Sequence, residues 1–276
     1  MTVVAPPADA LDPRVALLRA VGDRAGRLTL EYFQHPELAV DHKADLSPVT
    51  AADLACEAMI REAILESFPH DAILGEEHGD QPGSTGFRWI IDPIDGTVSF
   101  ARGVPLYGVL IALEFEGAEG SGIVAGTCEL PALGERVWAA AGRGAWWDRA
   151  GRDPARARVA PGIGLRDALV ATTGIEYFRR AGTERALQEL EAGAGRVRGW
   201  SDCYSLALAA TGRCDAAVEP LMNPWDSGPF PVIFAEAGGT FTSWDGTPDI
   251  RRRTAVAAGP ALHAELVELL RPHAGG

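Results

Sequence analysis

Asp92 and Asp95 lie three residues apart in Trp89-Ile90-Ile91-Asp92-Pro93-Ile94-Asp95-Gly96-Thr97, where an apolar run meets a turn rich in proline and glycine. Asp92 ends an expected buried strand, Pro93 is expected to stop it, and Gly96 lets the backbone come close to a ligand. Acids at the carboxyl end of a strand project into the crevice of an open sheet. Such a crevice suits a hard cation and, through the cation, a phosphate. Taken alone, the pair reads more simply as a strand followed by an ordinary Asp-Gly turn.

Two more acids shift that balance. Glu76 follows an apolar stretch and a glycine, and Asp226 follows Trp225 at the start of an expected helix. Four carboxylates open to solvent suit Mg²⁺, which prefers oxygen ligands and keeps several waters. Each has a plainer reading: Asp226 as a helix N-cap, Glu76-Glu77 as a solvated loop. Cys56, Cys128, Cys203 and Cys214 show no CxxC spacing and the 6 histidines are scattered, so zinc is not expected. Hydrolysis of a phosphate monoester needs neutralised phosphoryl oxygens, hydroxide near neutral pH and a stabilised leaving alkoxide, and two metal ions serve all three needs. The chain has no Cys-x5-Arg loop, and Asp92-x-x-Asp95 lacks Asp-x-Asp spacing, so no side-chain nucleophile competes with that scheme.

The elements that must position these acids follow from pattern. Asp12-Pro13 is expected to open a helix whose stripe of Val15, Leu18, Val21, Ala25, Leu28 and Tyr32 ends near His35-Pro36. Thr50-Ala-Ala-Asp53 resembles a capping box, with a helix to about Ser67. Ala72–Leu74, Phe87–Asp92, Leu106–Phe115, Gly122–Cys128 and Arg136–Ala140 read as strands, and Gly142–Pro161 as a loop. The second half reads as strand (Ala168–Thr172), helix (Thr183–Glu191), strand near Val197, helix (Ser205–Ala210) and strand (Ala216–Glu219). It ends with helix (Ser227–Ala237), strand near Val256 and helix (Pro260–Leu270). Alternation of this kind predicts a layered α/β fold. With no repeat or linker, residues 1–276 read as one unit. Residues 12–150 carry most metal ligands and 155–276 the substrate side.

At 276 residues and 47% hydrophobic composition the chain can bury a large core. A formal charge of −13 argues against nucleic acid or an anionic membrane as partner. No apolar run approaches the roughly 20 residues that span a bilayer, and Met1–Asp12 lacks the pattern of a signal peptide, so a cytoplasmic protein is expected.

Several segments together resemble the inositol monophosphatase superfamily of Mg-dependent, lithium-sensitive phosphatases. They are Lys43-Ala-Asp45, Pro48 to Asp53, Gly75-Glu76-Glu77, Asp92 to Thr97, and Trp225-Asp226 leading to Glu236-Ala237-Gly238-Gly239. The resemblance implies an αβαβα five-layer sandwich of the inositol monophosphatase and fructose-1,6-bisphosphatase type, a homodimer, and two or three Mg²⁺ per site. It implies that Glu76, Asp92 and the Ile94 carbonyl hold one ion and that Asp92, Asp95 and Asp226 hold a second. Gly96 and Thr97 N–H groups would cradle the phosphate. Thr97 would accept a hydrogen bond from the attacking water and pass its proton toward Asp53, with Glu76 helping to activate that water. Lys43 would sit on a loop near the metals.

Arg102-Gly-Val-Pro105, Trp200-Ser-Asp-Cys-Tyr204 and Glu219 to Asp226 are similar to the histidinol-phosphate phosphatase branch. Glu219 could meet the amino group of histidinol or the hydroxyls of inositol, and Asp202 is a second candidate. Their plainer readings are a solvated strand end for Glu219 and a cap of the helix from Ser205 for Asp202. Val98 and Ser227-Gly228-Pro229 depart from the family pattern. The leading expectation is hydrolysis of L-histidinol phosphate to L-histidinol and phosphate, with inhibition by Li⁺ and excess Ca²⁺. Inositol 1-phosphate, or a sugar or nucleotide phosphate, is the alternative substrate, and a regulatory binding protein of the same fold is the alternative of another class.

Overall fold

A computed structural model of the chain describes residues 6–35, 40–42, 48–117 and 120–275. Lys43 and Asp45 fall outside the described residues. The first helix, α1, spans Ala8–Tyr32, strands β1 (Val40–His42) and β2 (Pro48–Thr50) pair antiparallel, and α2 spans Ala51–Ser67. Next come β3 (Ala72–Gly75), β4 (Gly79–Gln81), β5 (Phe87–Asp95), α3 (Thr97–Ala101), β6 (Gly108–Gly117), β7 (Gly120–Leu130), β8 (Glu135–Ala140), β9 (Ala145–Arg149) and β10 (Ala155–Arg156). Strands β3 to β10 form one sheet in the order β10-β9-β8-β7-β6-β5-β3-β4, antiparallel throughout except that β3 and β5 run parallel.

The second half contributes β11 (Leu169–Thr172), α4 (Ile175–Arg180), α5 (Glu184–Gly193), β12 (Arg196–Gly199), α6 (Asp202–Ala210), β13 (Ala216–Glu219), α7 (Pro224–Ser227), α8 (Phe230–Glu236), β14 (Thr240–Thr242), β15 (Ala255–Ala258) and α9 (Pro260–Leu270). Its sheet runs β12-β11-β13-β15-β14, with the first three strands parallel.

Period-two alternation sorts the core into layers. Trp89, Ile91, Val109, Ile111 and Leu113 turn one face of the first sheet onto Leu18, Val21, Ile60 and Ile64 of α1 and α2. Leu110, Cys128 and Val137 turn the other face onto Leu206 of α6 and Phe230 and Phe234 of α8. The second sheet meets those same helices with the small side chains Ala171, Ala217 and Ala257. Its outer face sets Val170, Val218 and Val256 on Leu187, Leu190, Leu262 and Leu266 of α5 and α9. Five layers, αβαβα, result. Each fully buried Leu, Ile or Phe contributes on the order of 2 kcal/mol before entropy is counted. The four cysteines are free and buried. No helix among the described residues is long and apolar enough to cross a membrane.

Several expected boundaries move. Helix α1 starts four residues before Asp12, and Pro13 lies inside it. The bond that Pro13 cannot donate would go to Asp9, and both residues lie on the exposed face in the first turns of the helix, where the missing bond costs little. The Gly142–Pro161 loop contains β9 and β10, whose Trp146 stacks on Trp138 with ring centroids 6.3 Å apart. The helix expected over Ser227–Ala237 starts only at Phe230, as α8, while Ser227 ends the separate α7; the two divide at Gly228-Pro229 because Pro229 has no N–H with which to continue α7. Most consequential, β5 does not stop at Pro93.

Candidate active site

Strand β5 runs to Asp95 with a bulge: Asp92 pairs with Leu110 and Asp95 with Gly108, so β5 carries one extra residue between those pairs. In a regular strand residues three apart face opposite sides. The extra residue cancels that alternation and turns both acids into one crevice, and Pro93 sits where a ladder hydrogen bond is already missing. The parallel neighbour β3 ends at Gly75, which delivers Glu76 to the same edge, where the Glu76 amide donates to the Ile91 carbonyl at 3.2 Å.

Across the crevice Asp226 is the third residue of α7. It is not the N-cap. Asn223 holds that place, and the Asn223 amide donates to Asp226 Oδ2 at 2.8 Å in a capping box. The capping box engages Oδ2, and the same side chain faces Asp92 and Asp95 in the crevice. One oxygen each from Asp92, Asp95 and Asp226 lies within 4.8 Å of the others. Glu76 stands outside that triad but lines the same cavity, of about 410 Å³.

The electrostatics of this cluster match a cation. Burial, then the charges of Glu76, Asp95 and Asp226, hold the Asp92 carboxyl well above the usual carboxylate range. Asp95 is raised by burial, then Asp202 and Asp226, and Asp226 is pushed up to about 7, mainly by burial. Three carboxylates at this spacing cannot all ionise without a compensating charge. The donor set is all oxygen, which fits a hard divalent ion and not zinc.

Gly96 caps α3 at φ +84, and a Cβ there would stand 3.0 Å from Asp202 Oδ2 and 3.1 Å from the Leu106 carbonyl. Glycine is required on both counts. The Thr97 hydroxyl donates to the Ile94 carbonyl at 3.1 Å. Asp53 is 1% exposed, and its Oδ2 accepts the Thr50 amide at 2.8 Å and the Thr50 hydroxyl at 2.6 Å, the capping box read from sequence. Burial pushes Asp53 up to about 6 against the pull of those two bonds, with Glu76 adding to the rise. No hydrogen bond joins Thr97 to Asp53.

On the substrate side, Asp202 is the first residue of α6 and not a cap for a helix from Ser205. Its Oδ2 accepts the Ser201 hydroxyl at 2.5 Å and its Oδ1 the Thr173 hydroxyl at 3.3 Å. Glu219 closes β13 at 2% exposure, which rules out a solvated strand end. Its Oε2 accepts the Thr173 amide at 3.2 Å, while its buried Oε1 has no partner. Burial, then Asp202 and Asp95, hold Glu219 well above its ordinary range.

Four contributors went unread in the sequence. The Cys203 amide, at the start of α6, donates to Asp95 Oδ2 at 2.6 Å. Thr173 joins Asp202 to Glu219; a Thr-Thr-Gly run ending a strand was its only signal. Tyr177 and Arg180 of α4 line the cavity, with the Arg180 guanidinium 5.4 Å from the Tyr177 ring centre. Val98, at the lip, is 56% exposed. Glu236 serves structure instead: its carboxylate accepts the Gly142 and Gly144 amides at 2.7 and 2.6 Å, fastening the turn before β9.

Comparison with known proteins places the chain among phosphatases. The histidinol-phosphatase of Chlorobaculum parvum is 41% identical over 240 residues, covering 87% of this chain and 89% of that protein. The inositol-1-monophosphatase of Caulobacter vibrioides is 32% identical over 92% of this chain and 99% of its own. Among solved structures, the extragenic suppressor protein suhB of Bartonella henselae superposes with a TM-score of 0.82 at 29% identity, covering 93% of this chain and 97% of that one. The inositol monophosphatase family itself matches residues 10–274, so the chain belongs to the inositol monophosphatase family.

Proposed function

We propose that the protein is a Mg²⁺-dependent histidinol-phosphate phosphatase that releases L-histidinol and phosphate by direct attack of water. One observation carries the choice of substrate: the orphaned Oε1 of Glu219, buried on the cavity wall beside Asp202. A buried carboxylate oxygen without a donor costs free energy until a donor arrives, and an ammonium group on the leaving alcohol is a strong one. The histidinol-phosphatase relative, more similar than the inositol-1-monophosphatase, supports the same choice.

In this reading Asp92, Asp95, Asp226, Glu76 and the Ile94 carbonyl hold two or three Mg²⁺. The bound ions supply charge neutralisation at the phosphoryl oxygens and a lowered pKa for water. The chain's own groups do the rest. Gly96 and Thr97 N–H groups orient the phosphate, as the start of α3 favours anions. The Thr97 hydroxyl, on leaving the Ile94 carbonyl, would align the attacking water, and Asp53, raised to about 6, would be the final proton acceptor through an intervening water, since no direct hydrogen bond joins the two side chains. Glu219 and Asp202 hold the amino end of the leaving group. A loop carrying Lys43, a homodimer and a cytoplasmic setting complete the proposal.

Glu219 could also accept from hydroxyl groups, which favours inositol 1-phosphate as a second reading. Purified protein assayed side by side on L-histidinol phosphate, inositol 1-phosphate and a sugar phosphate separates the two. The proposal expects kcat/KM at least about tenfold higher for histidinol phosphate, the worth of one well-placed charged hydrogen bond. A preference for inositol 1-phosphate overturns it.

A further inference from the structure

The backbone at the start of α6 is strained where no glycine relieves it. Ser201 sits at φ +68 and ψ 132, and Asp202 follows at φ +28. Only one other non-glycine residue among the described residues has positive φ, Gln34. Positive φ at Ser201 is backbone that an L side chain resists and that glycine, without a Cβ, enters at lower cost. Strain of this kind persists where surrounding contacts over-determine it, and it gathers at functional sites.

The Ser201 carbonyl accepts the Ser205 amide at 3.1 Å and the Ser205 hydroxyl at 3.3 Å, and the Ser201 hydroxyl makes the contacts that reach toward the site. Its Oγ lies 2.5 Å from Asp202 Oδ2 as donor and 3.0 Å from the Ser99 hydroxyl, and it approaches the Leu106 carbonyl at 3.5 Å. Ser99 stands on α3, two residues after Thr97. Asp202 in turn accepts the Thr173 hydroxyl, and the Thr173 amide donates to Glu219. A continuous chain, Ser99–Ser201–Asp202–Thr173–Glu219, therefore links the helix behind the phosphate cradle to the wall that faces the leaving group. Glycine would ease the positive φ but would remove the hydroxyl that makes the first two links.

We infer that Ser201 is a positioning residue for substrate: its strained backbone is the cost of a hydroxyl that locks the Asp202 carboxylate between the phosphate cradle and the leaving group. This rests on the reading that Asp202 and Glu219 hold the leaving group's polar substituents. It makes stability and substrate binding respond in opposite directions to one substitution, which a purely structural serine would not do.

The test compares Ser201→Gly, Ser201→Ala and Ser99→Ala with wild type on L-histidinol phosphate, inositol 1-phosphate and phenyl phosphate, whose leaving group offers no donor. Ser201→Gly is expected to raise the thermal midpoint by about 2 °C or more. It should also raise KM for histidinol phosphate about tenfold, with kcat and the phenyl phosphate constants within about twofold. Ser201→Ala keeps the strain, loses the hydroxyl and gives the same rise in KM without the gain in midpoint. Ser99→Ala leaves the strained residue in place and raises the same KM about threefold. An unchanged KM in Ser201→Gly, a lowered midpoint, or equal losses on phenyl phosphate overturns the inference. A wild type that prefers inositol 1-phosphate overturns only the choice of substrate, and the Ser201 comparison is then made on that substrate.

Discussion

One oxygen of Glu219 rests on the Thr173 amide and the other on nothing, inside a cavity walled by further carboxylates. A side chain held in that state is costly to fold and useful only when a donor fills the gap. Glu219→Gln keeps the shape, and its amide oxygen can still accept from Thr173, but it removes the charge that an ammonium group would meet. The expected outcome is a thermal midpoint equal to or above wild type, with kcat/KM for L-histidinol phosphate lowered about 10–100-fold and that for phenyl phosphate little changed. Kinetics on both substrates beside a melting curve would check it; equal losses on both would refute the role. Sequence alone could nominate Glu219 from its place before Asp226, but not its depth. The position reads equally as a strand end facing water, and only the closure of β11 and α6 over it buries the carboxylate.

At the scale of elements, two local devices set the site, and the sequence showed them unequally. Thr50 to Asp53 was legible as a capping box because cap chemistry is local in sequence. The bulge at Pro93 was not: a proline after a strand reads as a stop, and the resumption of pairing at Gly108 depends on the register of the next strand, β6, which local pattern does not fix. Helix α4 was missed for a related reason, since six residues give too little periodicity to register. Asp226 reads from sequence as an N-cap that could also be a ligand; α7 instead places it at the third helical position, where it closes the capping box of Asn223. Asp226→Asn can still accept from the Asn223 amide, so α7 is expected to survive, while a charge is lost from the cluster. The metal-free variant should melt at or above the wild-type temperature because repulsion among Asp92, Asp95 and Asp226 is relieved. Its half-saturating Mg²⁺ should rise about tenfold or more. A Mg²⁺ titration of activity paired with melts in chelator would show both, and an unchanged Mg²⁺ requirement would remove Asp226 from the ligand set.

For the whole molecule, a sheet edge from one half and the ends of α6, α7 and β13 from the other close on a single cavity. The site's charge is thereby coupled to global stability. Asp53 and Asp226 are held up at about 6 and about 7 in the folded state, above the carboxylate values of an unfolded chain. A carboxyl with a raised folded pKa binds its proton more tightly when folded. Its contribution is therefore present at low pH and lost as pH rises from about 4 through those values. Metal-free protein should lose stability across that window, and added Mg²⁺, which competes with protons for the same oxygens, should restore more of it at pH 8 than at pH 5. Melting curves in chelator and in Mg²⁺ across that range would display the divergence; a Mg²⁺ increment independent of pH would contradict it. The layered fold was legible in the alternation of segments, since burial of one face per element leaves few architectures.

Metal-dependent release of phosphate from L-histidinol phosphate is the property that defines the proposed activity. The most direct measurement is phosphate release by the purified protein on that substrate, first in chelator and then with Mg²⁺ restored. Loss of turnover in chelator and full recovery on adding Mg²⁺ is the predicted result, and turnover undiminished in chelator, or none on this substrate in either condition, would contradict it.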